Sequence, residues 1–192
     1  MVSANLVADR ALSRRSPIRS VSGPTRLRLA DLLYITDRTA DEVLSGRYDH
    51  VVPSDGVPID DRWFARLHGD DEVDIWLISW APGQRTELHD HGGSLGALTL
   101  LSGSLDEFRW DGERLRRSRL EAGDQAGFPL GWVHDVVWAP TGPAPAVTPP
   151  AGPTLSVHAY SPPLTVMSYY EVTEKHTLRR RRTELTDQPE NL

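Results

Sequence analysis

Between residues 73 and 172 the chain breaks into short segments rich in β-branched and aromatic residues, each closed by a turn signal. This rhythm limits the available folds more than any other feature. Residues 73–80 (V-D-I-W-L-I-S-W) are followed by 97–101, 105–110, 114–120, 132–138, 155–160 and 165–172. Pro82-Gly83, Ser102-Gly103-Ser104, Asp111-Gly112-Glu113 and Ala122-Gly123-Asp124 punctuate them. Strand-like runs recurring about every 8–12 residues predict an all-β barrel or sandwich. Residues 139–153 hold six prolines and two glycines. Such a segment cannot join a hydrogen-bonded ladder and reads as a loop inserted between two strands.

Ahead of the strands, Leu29, Leu32, Leu33 and Ile35 recur at helical spacing within residues 27–44. Thr36 or Thr39 would cap a second short helix through Leu44, with Gly46 as its stop. Residues 49–61 read as a linking loop. The expected organisation is a disordered or wrongly assigned tail at 1–25 and a single domain at 26–174. That domain comprises a helical lead-in at 26–48 and a barrel at about 62–172, with the Pro-rich loop at 139–153. Residues 175–192 are expected as a charged tail, in which Arg179, Arg180, Arg181 and Arg182 are solvated.

Charge and composition remove several function classes. The net charge of −6 is uneven: residues 1–30 carry +5 and residues 31–170 carry −11. An acidic body argues against nucleic acid as the partner. The absence of cysteine excludes disulfides, thiolate metal sites and cysteine nucleophiles. No apolar run approaches the roughly 18 residues of a membrane span, and residues 1–30 lack the apolar stretch of a secretory signal. A cytoplasmic monomer or weak homo-oligomer is expected, with no membrane or nucleic-acid partner.

The chemistry concentrates in two segments, Gly83 to Gly103 and Gly123 to His134. On a strand, residues i and i+2 share a face, so His89 and His91 aim inward while Asp90 points away. Glu87 shares their parity and is a possible fourth ligand. His134 comes from a strand 43 residues after His91, which a barrel can place opposite. Three neutral imidazoles make a facial metal site with open positions. They leave the charge of a divalent ion intact, which favours an anionic ligand such as a thiolate. Three imidazoles also suit Ni, Cu or Zn. His50, His68 and His176 lie outside these segments and read as surface residues, and the tryptophans, Trp76, Trp80, Trp132 and Trp138 among them, as barrel packing.

These spacings resemble the two motifs of the cupins, G-x5-H-x-H-x3-4-E-x6-G and G-x5-P-x-G-x2-H-x3-N. Gly83, His89, His91 and Gly103 fit the first, and Gly123, Pro129, Gly131 and His134 the second. Gly96 stands where the glutamate ligand is usual, leaving space there, and Trp138 replaces the asparagine. Trp80-Ala81-Pro82-Gly83, His89-Asp90-His91-Gly92-Gly93-Ser94, Gly131-Trp132-Val133-His134-Asp135 and Ser156-Val157-His158-Ala159-Tyr160-Ser161-Pro162-Pro163 narrow the resemblance to a bacterial cysteine dioxygenase.

That resemblance implies a cupin double-stranded β-helix barrel with a short N-terminal helical segment. It implies Fe(II) on His89, His91 and His134, and Tyr160 beside the substrate with His158 and Ser156 behind it. A cis Ser161–Pro162 bond is also implied. Arg66 is the best match to the family's carboxylate clamp, with Arg62 the fallback; a guanidinium suits a carboxylate because it can bind both oxygens at once. The tyrosine–cysteine crosslink of mammalian relatives cannot form in a chain without cysteine. The implied activity is oxidation of L-cysteine by O2 to cysteine sulfinate, its open position beside Gly96 admitting the substrate amine. Alternatives are dioxygenation of 3-mercaptopropionate or another small thiol, a cupin isomerase or quercetinase-like enzyme, and a non-catalytic metal-binding sensor.

Overall fold

A computed structural model of the chain describes residues 27–141 and 152–189. The expected N-terminal tail and most of the Pro-rich loop lie outside these residues. One helix, α1 (Leu29–Leu44), precedes eleven strands: β1 (Phe64–Gly69), β2 (Asp74–Trp80), β3 (His89–Asp90), β4 (Leu95–Ser102), β5 (Ser104–Trp110), β6 (Leu115–Glu121), β7 (Gln125–Phe128), β8 (His134–Ala139), β9 (Thr154–Ser161), β10 (Val166–Val172) and β11 (Leu178–Leu185). All seven anticipated segments are strands, and β1, β3, β7 and β11 are additional.

The helix does not restart at Thr36. Its N-terminus is set by Arg28, whose backbone N–H donates to the Asp31 carboxylate at 2.7 Å. The Thr36 hydroxyl donates back to the Leu33 carbonyl at 3.0 Å and accepts from the Thr99 hydroxyl of β4 at 2.9 Å. Thr36 therefore ties one continuous helix to the sheet instead of capping a second. Leu32, Thr36, Thr39 and Ala40 form the buried stripe. They lie against Val73, Ile75, Leu77, Ala97, Val157 and Ala159 on the outer face of one sheet.

The strands form two antiparallel sheets, ordered β1-β2-β9-β4-β7 and β11-β10-β3-β8-β5-β6. Trp76, Ile78, Trp80, Leu98, Leu105, Phe128, Val136, Tyr160 and Met167 belong to one core between them. Every residue of β2 is buried: Trp76, Ile78 and Trp80 belong to this core, while Ile75 and Leu77 join the cluster on the outer face and Ser79 is hydrogen-bonded to the Trp63 backbone. This double burial is why 73–80 alternates weakly in polarity. The β4–β5 turn needs glycine: Gly103 has φ +78°, and a Cβ there would lie 2.0 Å from the Thr154 hydroxyl oxygen. The molecule is the expected cupin double-stranded β-helix barrel with an N-terminal helix.

Part of the expected charged tail is a strand, in which Arg179, Arg180 and Arg181 remain exposed as expected. Arg179 to Arg182 lie within β11, paired antiparallel with β10. Their charges meet partners: Arg179 and Arg181 reach Glu171, and Arg182 reaches Glu87 and Glu184. Arg182 also covers the Tyr169 ring at 3.8 Å, and Arg180 the Tyr170 ring at 5.7 Å. Acids and aromatics across the ladder let a polyarginine run remain a strand.

Candidate metal centre

His89 and His134 are direct cross-strand partners of β3 and β8, which brings together residues far apart in the chain. His91 follows β3 immediately. The three ring centroids are 5.0, 4.8 and 5.2 Å apart. Their ligand atoms all lie within 4.8 Å of one another, and all three residues are buried.

Hydrogen bonds fix how two of the rings present their nitrogens. His89 Nδ1 lies 2.7 Å from the Glu87 carbonyl oxygen. A carbonyl can only accept, so Nδ1 carries the hydrogen and Nε2 keeps the lone pair. His134 Nδ1 lies 3.1 Å from Glu107 Oε1. Glu107 faces the interior from β5, with Trp132 Nε1 at 3.5 Å, and burial pushes its carboxyl above the usual glutamate range. The donor set of three buried neutral imidazoles, one backed by a carbonyl and one by a carboxylate, fits a divalent metal ion. Glu107 was not foreseen. Its only sequence signal is that it shares parity with Leu105, which becomes informative once Leu105 is known to face the core.

The two acidic residues near the motif point elsewhere. Asp90 accepts from the Tyr170 hydroxyl at 2.6 Å and the Gly92 N–H at 2.9 Å, on the side away from the imidazoles, as its parity predicted. Glu87 is half exposed and bound at both oxygens by Arg182, at 2.6 and 2.9 Å, which holds its carboxyl below the usual range. It is therefore no fourth ligand.

Ser156, His158 and Tyr160 line the inner face of β9 in one hydrogen-bonded series. Trp80 Nε1 donates to Ser156 Oγ at 2.9 Å, Ser156 Oγ lies 2.9 Å from His158 Nε2, and His158 Nδ1 lies 3.2 Å from the Tyr160 hydroxyl. An indole N–H can only donate, so Ser156 accepts from Trp80. Its own hydrogen is available to His158 Nε2, and with that tautomer His158 donates from Nδ1 to the Tyr160 hydroxyl. The Tyr160 ring lies 4.9 Å from that of His91, so the series ends at the imidazole group. The Ser161–Pro162 bond is cis, as the resemblance implied.

One expectation changes. The space beside Gly96 is filled: a Cβ there would lie 2.9 Å from Phe128 Cδ2 and 3.3 Å from the Tyr160 ring. Phe128 reaches it because Gly96 and Phe128 are cross-strand partners of β4 and β7. Arg66, the expected clamp, lies at the β1–β2 edge with its Nη2 2.9 Å from Asp74 Oδ1 and its guanidinium over the Trp76 ring at 4.8 Å. The fallback, Arg62, covers the Trp80 ring at 4.2 Å.

Residues 59–127 match the family model of cysteine dioxygenase type I. That match covers 69 of the 192 residues. The match to cysteine dioxygenase type I spans Arg66, His89 and His91, while His134 and the β9 series fall outside it and rest on the geometry above. Among solved structures, a Klebsiella pneumoniae protein with a double-stranded β-helix domain is 19% identical, over 73% of this chain and 88% of that one, with a TM-score of 0.44. A cupin-superfamily sugar phosphate isomerase from Silicibacter pomeroyi is 18% identical, over 68% and 78%, with a TM-score of 0.45. A DMSP lyase from Ruegeria pomeroyi is 16% identical, over 57% and 50%, with a TM-score of 0.42. No helix among the described residues is long and apolar enough to cross a membrane.

Proposed function

We propose that this protein is an iron-dependent thiol dioxygenase that oxidises L-cysteine with O2 to cysteine sulfinate. The observation that carries the proposal is the convergence of His89, His91 and His134 beside Tyr160 in a chain that matches cysteine dioxygenase type I. His89, His91 and His134 would hold the ion. When bound, Fe(II) supplies the one-electron chemistry with O2 that no side chain of this protein can supply.

The protein's own residues orient the reactants and exclude water. Three uncharged ligands favour an anionic sulfur over a neutral one. Tyr160, its hydroxyl held at the end of the series from Trp80 through Ser156 and His158, donates a hydrogen bond to the reacting atoms from a wholly buried position. The overall change is RSH + O2 → RSO2H: both oxygen atoms end on sulfur, the thiol proton is released to the product acid, and no second reductant is needed. A small thiol and O2 are the proposed partners, and the cytoplasm the proposed site.

Oxygen uptake by the Fe(II)-loaded protein, with L-cysteine, 3-mercaptopropionate and cysteamine in parallel and the sulfinate identified by mass, tests the proposal. Stoichiometric uptake with L-cysteine that disappears in His134→Ala supports it. Uptake with no thiol overturns it.

A further inference from the structure

We infer that Arg182, on the last strand, is a positioning residue for His89, so that β11 acts as a latch on the metal centre. The inference rests on the metal-binding half of the functional reading and needs neither the thiol nor O2. His89 lies in a row of cross-strand partners that runs over four strands: Arg182 of β11, Tyr169 of β10, His89 of β3 and His134 of β8. Partners in such a row share one face of the sheet. The Arg182 guanidinium covers the Tyr169 ring at 3.8 Å, and the Tyr169 ring lies 6.4 Å from that of His89. One aromatic ring therefore separates Arg182 from the ligand.

A second route runs through the backbone. The Thr86 N–H donates to the Val136 carbonyl of β8 at 2.9 Å, while the Leu88 carbonyl accepts from the Tyr170 N–H of β10 at 2.8 Å. Glu87 stands at the crossover between these two pairings, and its carbonyl oxygen meets His89 Nδ1 at 2.7 Å. Arg182 grips the carboxylate of the same residue at both oxygens, at 2.6 and 2.9 Å. Holding that side chain limits how Glu87 turns at the crossover, and so keeps its carbonyl aimed at the ring it fixes. Exposed ion pairs usually contribute little, two-pronged and networked ones being the exceptions. This pair is both, because Arg182 Nε also donates to Glu184 Oε1 at 2.7 Å.

Its neighbours on the strand lack this connection. Arg179 and Arg181 end on Glu171 of β10, which no contact among the described residues links to an imidazole. Arg179 thus separates the general stability of β11 from the latch. Coupling between two sites is reciprocal. If undocking β11 weakens metal binding about tenfold, bound metal makes undocking rarer by about the same factor.

Co(II) binding to the full chain, followed by its visible absorption bands and by competition with a chelator, tests the latch. Arg182→Gln should weaken Co(II) about tenfold, as loss of a group that orients a ligand typically does, and should shift the bands. Arg179→Gln, which removes an ion pair from the same strand, should change neither. In the parent, Co(II) should slow amide exchange in β11 about tenfold, and in Arg182→Gln by less. Equal losses in the two variants overturn the inference, because strand stability alone would then account for both. So does an Arg182→Gln protein with the parent's affinity and bands. Should Arg182→Gln fail to fold by circular dichroism, Glu87→Gln, which keeps the carbonyl and loses the charge, and exchange in the parent decide. Unchanged Co(II) affinity in Glu87→Gln, together with β11 exchange indifferent to Co(II), overturns the latch. A parent that binds no metal overturns the latch and the dioxygenase reading together, whereas failure of the variants alone leaves that reading standing.

Discussion

Glu107 does for His134 what the Glu87 carbonyl does for His89: it occupies Nδ1 and leaves Nε2 to face the other imidazoles. Carboxylate or carbonyl partners of this kind raise ligand basicity and hold the ring plane, and their loss typically costs about 10–100-fold in metal affinity. Glu107→Gln should therefore weaken Fe(II) or Zn(II) binding by about that factor in competition with a chelator, with the circular dichroism spectrum unchanged. Gly96 makes the opposite point about size. Restoring a glutamate there places a Cβ against Phe128, so Gly96→Glu should lower stability by about 1–3 kcal/mol in a denaturant melt. Adding Phe128→Ala should relieve that clash, though the double variant keeps the cost of a lost core ring. The imidazoles were legible in the sequence because glycine and proline spacing marks the turns and parity then sets the face. The Gly96 filling was not, since it depends on the register that sets Phe128 opposite.

The last strand shows how an element can hide behind its composition. A run of four arginines looks like solvated chain, and nothing local to 179–182 says otherwise. The partners that make it a strand are Glu171, Tyr169 and Tyr170 on β10, and Glu87 from the segment leading into β3. Glu87 gives the arrangement a pH dependence. The Arg182 hydrogen bonds hold its folded-state carboxyl below the usual value. A lowered carboxyl contributes stability above its unfolded value, and that contribution is lost as pH falls through the folded one. Between about pH 5 and about pH 3, amide exchange in β11 should accelerate more than in β2 or β9. Glu87→Gln should show faster β11 exchange already at neutral pH, because its tie to Arg182 is weakened there. Exchange in β11 that follows pH no differently from β2 would remove Glu87 from this role. The helix was legible through its Leu spacing, whereas its continuity through Thr36 depended on Thr99, which only the sheet supplies.

At the scale of the molecule, the imidazole group joins β3 to β8 across the middle of the six-stranded sheet, so a bound ion acts as a clasp between strands. Ligand binding to the folded state alone adds about 2.7 kcal/mol when free ligand is 100-fold over Kd. Stripping the metal with a chelator should lower Tm, readdition of Fe(II) or Zn(II) should restore it, and His134→Ala should show neither change. The barrel itself was legible from strand rhythm. The Arg66–Asp74 pairing was not, because two charges eight residues apart become neighbours only through the β1–β2 register, with its irregularity between Arg66 and His68. Among the described residues, that six-stranded sheet ends in β6 on one margin and β11 on the other. Unpaired strand margins invite identical chains to add on without limit. Here one margin carries Arg116, Arg117 and Arg119, and the other Arg179 to Arg182. A copy adding to either margin would lay its own arginine-rich strand beside these, so the run of arginines that looked like a loose end is charge that edge-to-edge addition would have to offset.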